Sequence, residues 1–423
     1  MAAQPASSLG REAFVDRRDP PAYRALDAAQ REAFELGHAL FNTQWVAAPA
    51  PKAARRDGLG PLFNGGSCDG CHNEGARARG LAGDEAAPVG FVVQLATAAS
   101  GHVRDAPAGG DPVYGHTLNT LAIEGLRPEA TLRIRYVERA GRYPDGREYR
   151  LRLPHYDIGD LRYGELAKHT LIQPRLAPAL FGAGLLESVP ADAIVKLAEA
   201  GAGRVTWRGA GERRAIGRFG WQADAVSIAD QTARAFSREM GLSSTPIPLD
   251  DCTAAQRDCL QQVHGGEPEV SDDFMKALLV FQRALAVPAS PPMEPTREAE
   301  GAALFAASGC ATCHRAELPV VLDGREDRIA PYTDLLLHDL GDGLADREVG
   351  GRIATSLWRT APLWGLQHVP GSKRSFALLH DGRARSVEEA VLWHDGEAAA
   401  ARRRFERLDV QARTKLLDWV GSR

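Results

Sequence analysis

Two short cysteine–histidine motifs lie near opposite ends of the chain and have its most specific residue spacing. Residues 68–72 read Cys-Asp-Gly-Cys-His, and residues 310–314 read Cys-Ala-Thr-Cys-His. The pattern C-x-x-C-H attaches c-type haem, because its two thiols add to the vinyl groups on one edge of the porphyrin and the next His ligates the iron. The predicted attachment residues are Cys68, Cys71, Cys310 and Cys313, and the predicted proximal ligands are His72 and His314.

Two other kinds of site use the same cysteine spacing. A zinc ribbon needs its second cysteine pair within about 20 residues of the first, whereas these pairs stand at the two ends of the chain. A thioredoxin-like dithiol needs neither the adjacent His nor a second copy of the motif. The sequence therefore predicts two covalently attached haem c groups.

The remaining cysteines, Cys252 and Cys259, bracket six residues, and no His follows either of them. We predict a disulfide between them, with free thiols as the alternative. Haem attachment to C-x-x-C-H occurs outside the cytoplasm, so we expect an exported, periplasmic protein. Residues 1–5 contain no charged n-region and no apolar h-region, which indicates that the export signal has been removed from this sequence.

Composition excludes several classes of protein. The 423 residues include 51 basic and 55 acidic side chains, and a formal net charge of −4 argues against nucleic-acid binding. No apolar run approaches the roughly 18 residues that a membrane-spanning helix requires. A hydrophobic content of 44% with low net charge also excludes an intrinsically disordered chain.

An internal repeat suggests how the two motifs are positioned. Leu-Phe followed by four residues precedes each motif, at residues 62–63 and 304–305. Because each haem needs its own apolar cage, the repeat predicts two cytochrome-c-like helical domains. Four prolines within residues 288–295 indicate the boundary between them. The predicted division is an N-terminal arm, an N-terminal haem domain and a C-terminal cytochrome domain, over residues 1–26, 27–290 and 291–423.

Hydrophobic periodicity predicts the remaining elements. Residues 131–137 and 147–153 alternate apolar and polar side chains around a Pro-Asp-Gly turn, which indicates a β-hairpin inserted into the N-terminal domain. Helical periods and capping residues predict helices over 27–41, 190–200, 226–240, 271–286, 295–307 and 409–420. The predicted fold class is therefore mainly α, with two haem domains and a small β-hairpin insertion near 131–153.

Longer stretches around these elements resemble those of a known family. They are residues 58–64, 112–115, 174–178, 184–187, 217–221, 331–338, 359–364, 379–385 and 388–394. With the two haem motifs, the chain resembles the di-haem oxidoreductases of peroxidase type, sometimes labelled "thiol oxidoreductase". These are relatives of the bacterial di-haem cytochrome c peroxidases and of the di-haem enzyme that matures methylamine dehydrogenase.

The resemblance implies a reaction and its partners. The N-terminal haem is expected to activate H₂O₂ or a related oxidant, and the C-terminal haem to relay electrons or stabilise a high-valent state. The expected electron donor is a small cytochrome or copper protein, or else a protein side chain is the substrate. The relatives often hold Ca²⁺ between their domains, but the sequence contains no EF-hand loop, so Ca²⁺ rests on the resemblance alone.

The resemblance also suggests residues for each haem. His394 follows a Glu-Glu-x-Val helix start, the place of the distal ligand of the second haem in the relatives, and it lies on the apolar side of the predicted helix. For the first haem we select Glu187 as the acid/base, because its apolar neighbours favour a raised pKa if it is buried. Tyr114 and His116 are further candidates near the first haem, and the sixth ligand of its iron stays open. The tryptophans considered as electron relays, with core packing as the alternative, are Trp45, Trp221, Trp364 and Trp393.

Two other functions fit the same motifs. One is a di-haem electron carrier without substrate turnover, and the other is a redox sensor that docks to an iron-uptake partner. The chain is much longer than two carrier domains of about 100 residues each. Length therefore favours an enzyme, a haem-dependent oxidoreductase of peroxidase type.

Overall fold

The fold mixes helices and strands throughout the chain. The computed structural model describes residues 11–12, 21–53, 55–81, 83–97, 109–201, 203–209, 211, 214–368 and 377–423. Helices account for 31% and strands for 24%, so the prediction of a mainly α fold is wrong. Most of the predicted N-terminal arm lies outside the described residues. No helix in the described part of the chain is long and apolar enough to cross a membrane.

The six predicted helices are present and begin and end close to the predicted positions. The α-helices of the described residues are α1 Ala28–Phe41, α2 Cys68–Cys71, α3 Ala183–Glu187, α4 Ala191–Glu199, α5 Ile228–Met240, α6 Arg257–Leu260, α7 Asp272–Ala284, α8 Pro295–Ala307, α9 Val387–Trp393, α10 Ala399–Arg407 and α11 Val410–Gly421. Several begin at a polar side chain that accepts a backbone N–H of the first turn, as Asp27 does for α1 and Ser271 for α7. These caps explain why local sequence predicted the helix starts.

The strands are mostly short. Those of the described residues are β1 Arg11–Glu12, β2 Leu62–Phe63, β3 Glu85–Ala86, β4 Phe91–Thr97, β5 Thr117–Leu118, β6 Leu121–Ala122, β7 Thr131–Arg142, β8 Glu148–Gly159, β9 Thr170–Leu176, β10 Trp207–Arg208, β11 Ala215–Ile216, β12 Val287–Pro288, β13 Leu318–Leu322, β14 Arg325–Ile329, β15 Leu337–Asp339, β16 Asp346–Glu348, β17 Ile353–Thr355 and β18 Leu357–Arg359.

A five-stranded sheet, in the order β17-β16-β9-β4-β5, accounts for much of the unpredicted strand content. Strands β4 and β9 pair antiparallel from Phe91 opposite Leu176 to Thr97 opposite Thr170. Strand β16 adds to the other edge of β9, so the sheet joins segments from both halves of the chain. Strand β9 has no clear strand pattern in sequence, because Gln-Pro-Arg interrupts its apolar run at residues 173–175.

The predicted hairpin is present but larger than expected. Strands β7 and β8 each have 12 residues and pair over their whole length, and β3 adds a third strand. The turn of the hairpin reaches the C-terminal helices, where the Tyr143 hydroxyl donates to Glu388 at 2.7 Å and the Arg413 guanidinium lies 4.1 Å from the Tyr143 ring centroid. The hairpin therefore packs against the C-terminal region as well as the N-terminal one.

Apolar packing also crosses the predicted domain boundary. The largest core cluster contains Phe34, Phe41 and Phe281 together with Leu318 and Ile329. Burial of these side chains against one another ties segments on both sides of residue 290 together. The division at residues 290 and 291 stays a prediction.

Close contact between α1 and α7 gives a first prediction. A Cβ on buried Gly37 would clash with the Ala277 carbonyl oxygen and lie 2.7 Å from the Phe281 Cβ. We expect Gly37→Ala to lower the free energy of unfolding by about 1–3 kcal/mol, because overpacking outweighs the roughly 1 kcal/mol that Ala gains in helix propensity. Denaturant unfolding measures this, with Glu35→Ala on the exposed face of α1 as the control. Equal stability of Gly37→Ala and wild type would show that the two helices can separate without cost.

Candidate haem-binding sites

The first motif lies on the wall of a large cavity. The Ser67 hydroxyl caps α2, and Cys68, Cys71 and His72 all line a cavity of about 930 Å³. The His72 Nδ1 lies 2.7 Å from the Pro178 carbonyl oxygen. Because that carbonyl can only accept, Nδ1 carries the proton and Nε2 keeps its lone pair for a metal. The volume is that of a cofactor pocket, and the donor set suits a covalently held haem.

The two thiols of this motif are poor candidates for redox chemistry. Burial raises the pKa of Cys68 and of Cys71 to about 12, and the charge of Glu239 adds to the effect on Cys71. A reactive dithiol acts as a thiolate, which these environments disfavour. The structure therefore argues against a redox dithiol at this motif.

Basic side chains around the cavity also fit a haem. The arginines on its wall are Arg77, Arg175, Arg208, Arg234, Arg238 and Arg359. Burial lowers the pKa of Arg77 and of Arg359 to about 10, and the charges of Asp224 and Asp334 oppose this shift at Arg359. A partly buried cation that forms no direct ion pair within the described residues favours an anionic ligand group, and haem carries two propionates.

Two titratable side chains share the cavity with His72. His116 and Glu239 both line it. Burial raises the pKa of Glu239 to about 7; the Arg238 charge opposes this shift and the Asp251 charge adds to it. Asn64 and Thr117 lie at 3.5 Å from the Glu239 carboxylate oxygens. A carboxyl group with a pKa near neutrality can both accept and return a proton.

Glu187, the acid/base selected from the sequence, lies elsewhere. It is not among the residues that line the cavity. Its carboxylate accepts the Arg283 Nε–H at 2.7 Å and the Ile228 backbone N–H at 2.8 Å, at the start of α5. These contacts describe an ion pair that also caps a helix. Its catalytic role stays a prediction, and sequence reasoning overlooked Glu239 because no motif surrounds it in α5.

A buried polar network forms another part of the cavity wall. Asp346 is 2% exposed, and its two oxygens accept both Arg175 Nη groups at 2.8 and 2.6 Å. One of these oxygens also accepts the side-chain amides of Gln173 at 2.9 Å and Gln222 at 3.0 Å. Asp346 lies on β16 and the arginine on β9, so this network links the two halves of the five-stranded sheet.

The second motif repeats the histidine geometry of the first. The His314 Nδ1 lies 2.9 Å from the Tyr332 carbonyl oxygen, and the His394 Nδ1 lies 2.7 Å from the Ala390 carbonyl oxygen. Burial lowers the pKa of His314 to about 4, and His394 is close enough to contribute electrostatically. Both imidazoles are therefore neutral with Nε2 available. His394 is the C-cap residue of α9 and directly follows its last residue, Trp393.

One group of potential metal ligands lies beside the second motif. Among the described residues, Cys313, Asp334 and His338 have ligand atoms within 4.8 Å of one another. The His338 Nε2 is 2.8 Å from Asp334 Oδ2. Ca²⁺ prefers a set made only of oxygen atoms, and a thioether to haem would occupy the Cys313 sulfur. The group therefore gives no support to Ca²⁺, which stays a prediction.

The tryptophans differ in their surroundings. Trp45 packs with Phe236 and Phe274 in the core, whereas Trp221 and Trp364 line the cavity. The Trp221 indole donates to the Leu176 carbonyl at 2.9 Å and also packs against the core cluster that surrounds the second motif. Trp393, beside His394, has the Arg383 guanidinium 4.7 Å from its ring centroid. Trp221 is therefore the one of these four that contacts both regions.

The remaining predicted residues have structural surroundings. Cys252 and Cys259 form a disulfide. Tyr114 is fully buried, and its hydroxyl donates to the Gly164 carbonyl at 2.6 Å, so it braces a loop and does not line the cavity.

Comparison with known proteins identifies the family. The family model described as "Di-haem oxidoreductase, putative peroxidase" matches residues 130–423. The chain belongs to the di-haem oxidoreductase family. The match includes the second motif, and the first motif lies N-terminal to it. This confirms the resemblance inferred from the sequence and implies haem cofactors for this di-haem oxidoreductase.

Two other comparisons add little about the di-haem oxidoreductase. No curated protein matches the chain. Among solved structures, a hydrazine synthase of Kuenenia stuttgartiensis, studied under 20 bar of xenon, is similar at 12% identity. The similarity covers 100% of this chain and 98% of that one with a TM-score of 0.37, which is too low to support any conclusion.

The Asp346 network gives a second prediction. We expect Asp346→Asn to lower the free energy of unfolding by about 3–5 kcal/mol, because it leaves the buried Arg175 charge uncompensated. Asp342→Asn, at an exposed position just before β16, is the control and should change stability by less than about 0.5 kcal/mol. Denaturant unfolding of the two variants tests this. A loss no larger than that of the control would mean that the network does not hold the cavity wall.

Proposed function

We propose that this di-haem oxidoreductase is an exported peroxidase-type enzyme with two covalently attached c-type haems. The observation that carries the proposal is the N-terminal cavity. His72, the predicted iron ligand, lines this cavity together with two side chains that can transfer protons, His116 and Glu239. Thioether bonds from Cys68 and Cys71 hold the first haem, and those from Cys310 and Cys313 hold the second.

In the N-terminal cavity, the protein supplies proton transfer and charge. Haem, when bound, supplies an iron that can bind the oxidant and exchange electrons with it. The Glu239 carboxylate would accept a proton from one oxygen of H₂O₂ and return it to the other, which could then leave as water once the haem supplies electrons for O–O cleavage. Arg77 and Arg359 hold the propionates and compensate their charge.

The C-terminal site serves electron relay. His314 and His394 are both neutral and each keeps an unprotonated Nε2, so both could hold the iron of the second haem. A haem held by two histidines would supply electron transfer rather than binding of an oxidant. Trp221, which contacts both regions, is the side chain that we assign to transfer between the two sites.

Location and reductant follow from the same chemistry. Attachment of haem to C-x-x-C-H outside the cytoplasm and the disulfide both suit an oxidising, periplasmic environment. The electron donor is then a small cytochrome or copper protein, or the enzyme oxidises a protein side chain.

Low-temperature EPR of the oxidised holoprotein tests the proposal. We expect one high-spin ferric signal from the N-terminal haem beside one low-spin signal from the C-terminal haem. Addition of H₂O₂ should abolish the high-spin signal, because only that iron has a free sixth position. His394→Ala should change only the low-spin signal, because it removes one of the two nitrogen ligands.

Two low-spin signals that H₂O₂ leaves unchanged, in oxidised and in half-reduced protein, would contradict the proposed peroxidase activity. The di-haem electron carrier would then be the better description. Loss of both haems in a Cys68→Ser, Cys71→Ser variant would separately contradict independent attachment at the two motifs.

The pKa of Glu239 gives a fourth prediction. Its folded-state pKa near 7 is above the ordinary value, so the proton-accepting carboxylate forms as the pH rises through about 7. We expect the rate of reaction with H₂O₂ to rise over the same range. Glu239→Gln should lower the rate by about 10²–10⁴-fold and abolish this pH dependence.

Stopped-flow kinetics measure the rate of reaction with H₂O₂. Glu187→Gln is the matched variant, since Glu187 is the acid/base residue predicted from the sequence. Its carboxylate lies outside the cavity wall, so the pH dependence is expected to persist. If Glu187→Gln loses the pH dependence and Glu239→Gln keeps it, Glu187 and not Glu239 is the proton-transferring acid.

A further inference from the structure

Asp251 holds the His116 backbone and side chain at once. Its Oδ1 lies 2.7 Å from the His116 Nδ1, and its Oδ2 accepts the His116 backbone N–H at 2.6 Å. The preceding Gly115 has a φ of +70°, and a Cβ there would lie 2.7 Å from Asp251 Oδ2. Only glycine permits this approach in this conformation, so the two segments are in direct backbone contact.

The disulfide loop, residues 252–259, holds Asp251 in turn. Its first residue follows Asp251 directly, and the Cys252–Cys259 bond closes the loop. Inside it, the Thr253 hydroxyl donates to the Val113 carbonyl at 2.7 Å, three residues before His116. Gln256 is fully buried and accepts the Thr253 backbone N–H at 2.7 Å. The loop and Asp251 therefore contact the segment that carries His116 at two points, Val113 and His116 itself.

This arrangement has a chemical consequence at the cavity. The Asp251 carboxylate accepts the Nδ1 proton and so selects the tautomer of the neutral His116 ring in which Nε2 keeps its lone pair. A histidine that lines the cavity of His72 and is held in one orientation presents that lone pair as a hydrogen-bond acceptor. A protic ligand arriving in the cavity can donate its proton to it.

We infer that Asp251, held by the disulfide loop, is a positioning residue that fixes the His116 Nε2 to accept a proton from a small protic ligand of the N-terminal haem. The inference rests on the proposed function only in placing a haem in this cavity. It adds a second proton acceptor beside Glu239 and gives the disulfide a role in ligand binding as well as in stability.

Cyanide binding to the oxidised holoprotein tests the inference without turnover. HCN must lose its proton as its carbon binds the iron, and the proton passes to Nε2. We expect Asp251→Asn to slow cyanide binding to the N-terminal haem by about 10- to 100-fold, because one amide oxygen cannot accept both His116 donors. The paired Cys252→Ser, Cys259→Ser variant should also slow cyanide binding. In a His116→Ala background, neither Asp251→Asn nor the paired serine variant should slow cyanide binding further.

Asp258→Asn is the matched control, since this acid lies in the same loop but accepts the Tyr163 hydroxyl at 2.7 Å and makes no contact with His116. Its cyanide rate should stay within about twofold of wild type. Equal slowing by Asp258→Asn, or lower thermal stability of Asp251→Asn with an unchanged cyanide rate, would overturn the inference. If Asp251→Asn does not fold, the paired serine variant decides by the same two readouts.

The outcome is separable from that of the proposed function. An enzyme that reacts with H₂O₂ while Asp251→Asn binds cyanide at the wild-type rate contradicts this inference alone. If the wild-type protein does not react with H₂O₂ but Asp251→Asn slows cyanide binding, the proposed peroxidase activity is contradicted and the positioning role of Asp251 is supported.

Discussion

The hydrogen bond from a buried imidazole Nδ1–H to a backbone carbonyl is the interaction on which both sites depend. It recurs at His72, His314 and His394, whose acceptors are the carbonyls of Pro178, Tyr332 and Ala390. Burial keeps each ring neutral, and the carbonyl fixes which nitrogen carries the proton. Pro178 lies two residues after the end of β9 and Tyr332 three residues after the end of β14, so these strands help to position two of the three carbonyls.

The two haem regions are parts of one packed structure. Strand β16 extends the sheet that β9 and β4 form, and its Asp346 neutralises Arg175 in the N-terminal cavity wall. The hairpin reaches in the opposite direction, with Tyr143 buried among C-terminal side chains. Fixed relative positions of two redox centres suit electron transfer between them better than a flexible linker does.

Local sequence patterns predict part of the fold and of the candidate sites, and the rest depends on contacts between residues that are far apart in the chain. The motifs, the capped helices and the hairpin are predictable because their signals lie within a few residues of each other. Strand β9 is hidden by its Gln-Pro-Arg interruption, and its partners are remote. Glu187 has suitable neighbours in sequence, yet its charge is taken by Arg283, 96 residues away. The contact of His116 with Asp251 spans 135 residues, and no local pattern predicts it.

The pairing of β9 with β16 also constrains how the N-terminal region can fold. Asp346, which neutralises Arg175 in the cavity wall, is 171 residues downstream of that arginine. Domains ordinarily fold in the order of synthesis, N-terminal first. Here β9 and Arg175 gain these partners only after residues 346–348 have been made, so the N-terminal segment cannot complete its sheet by itself.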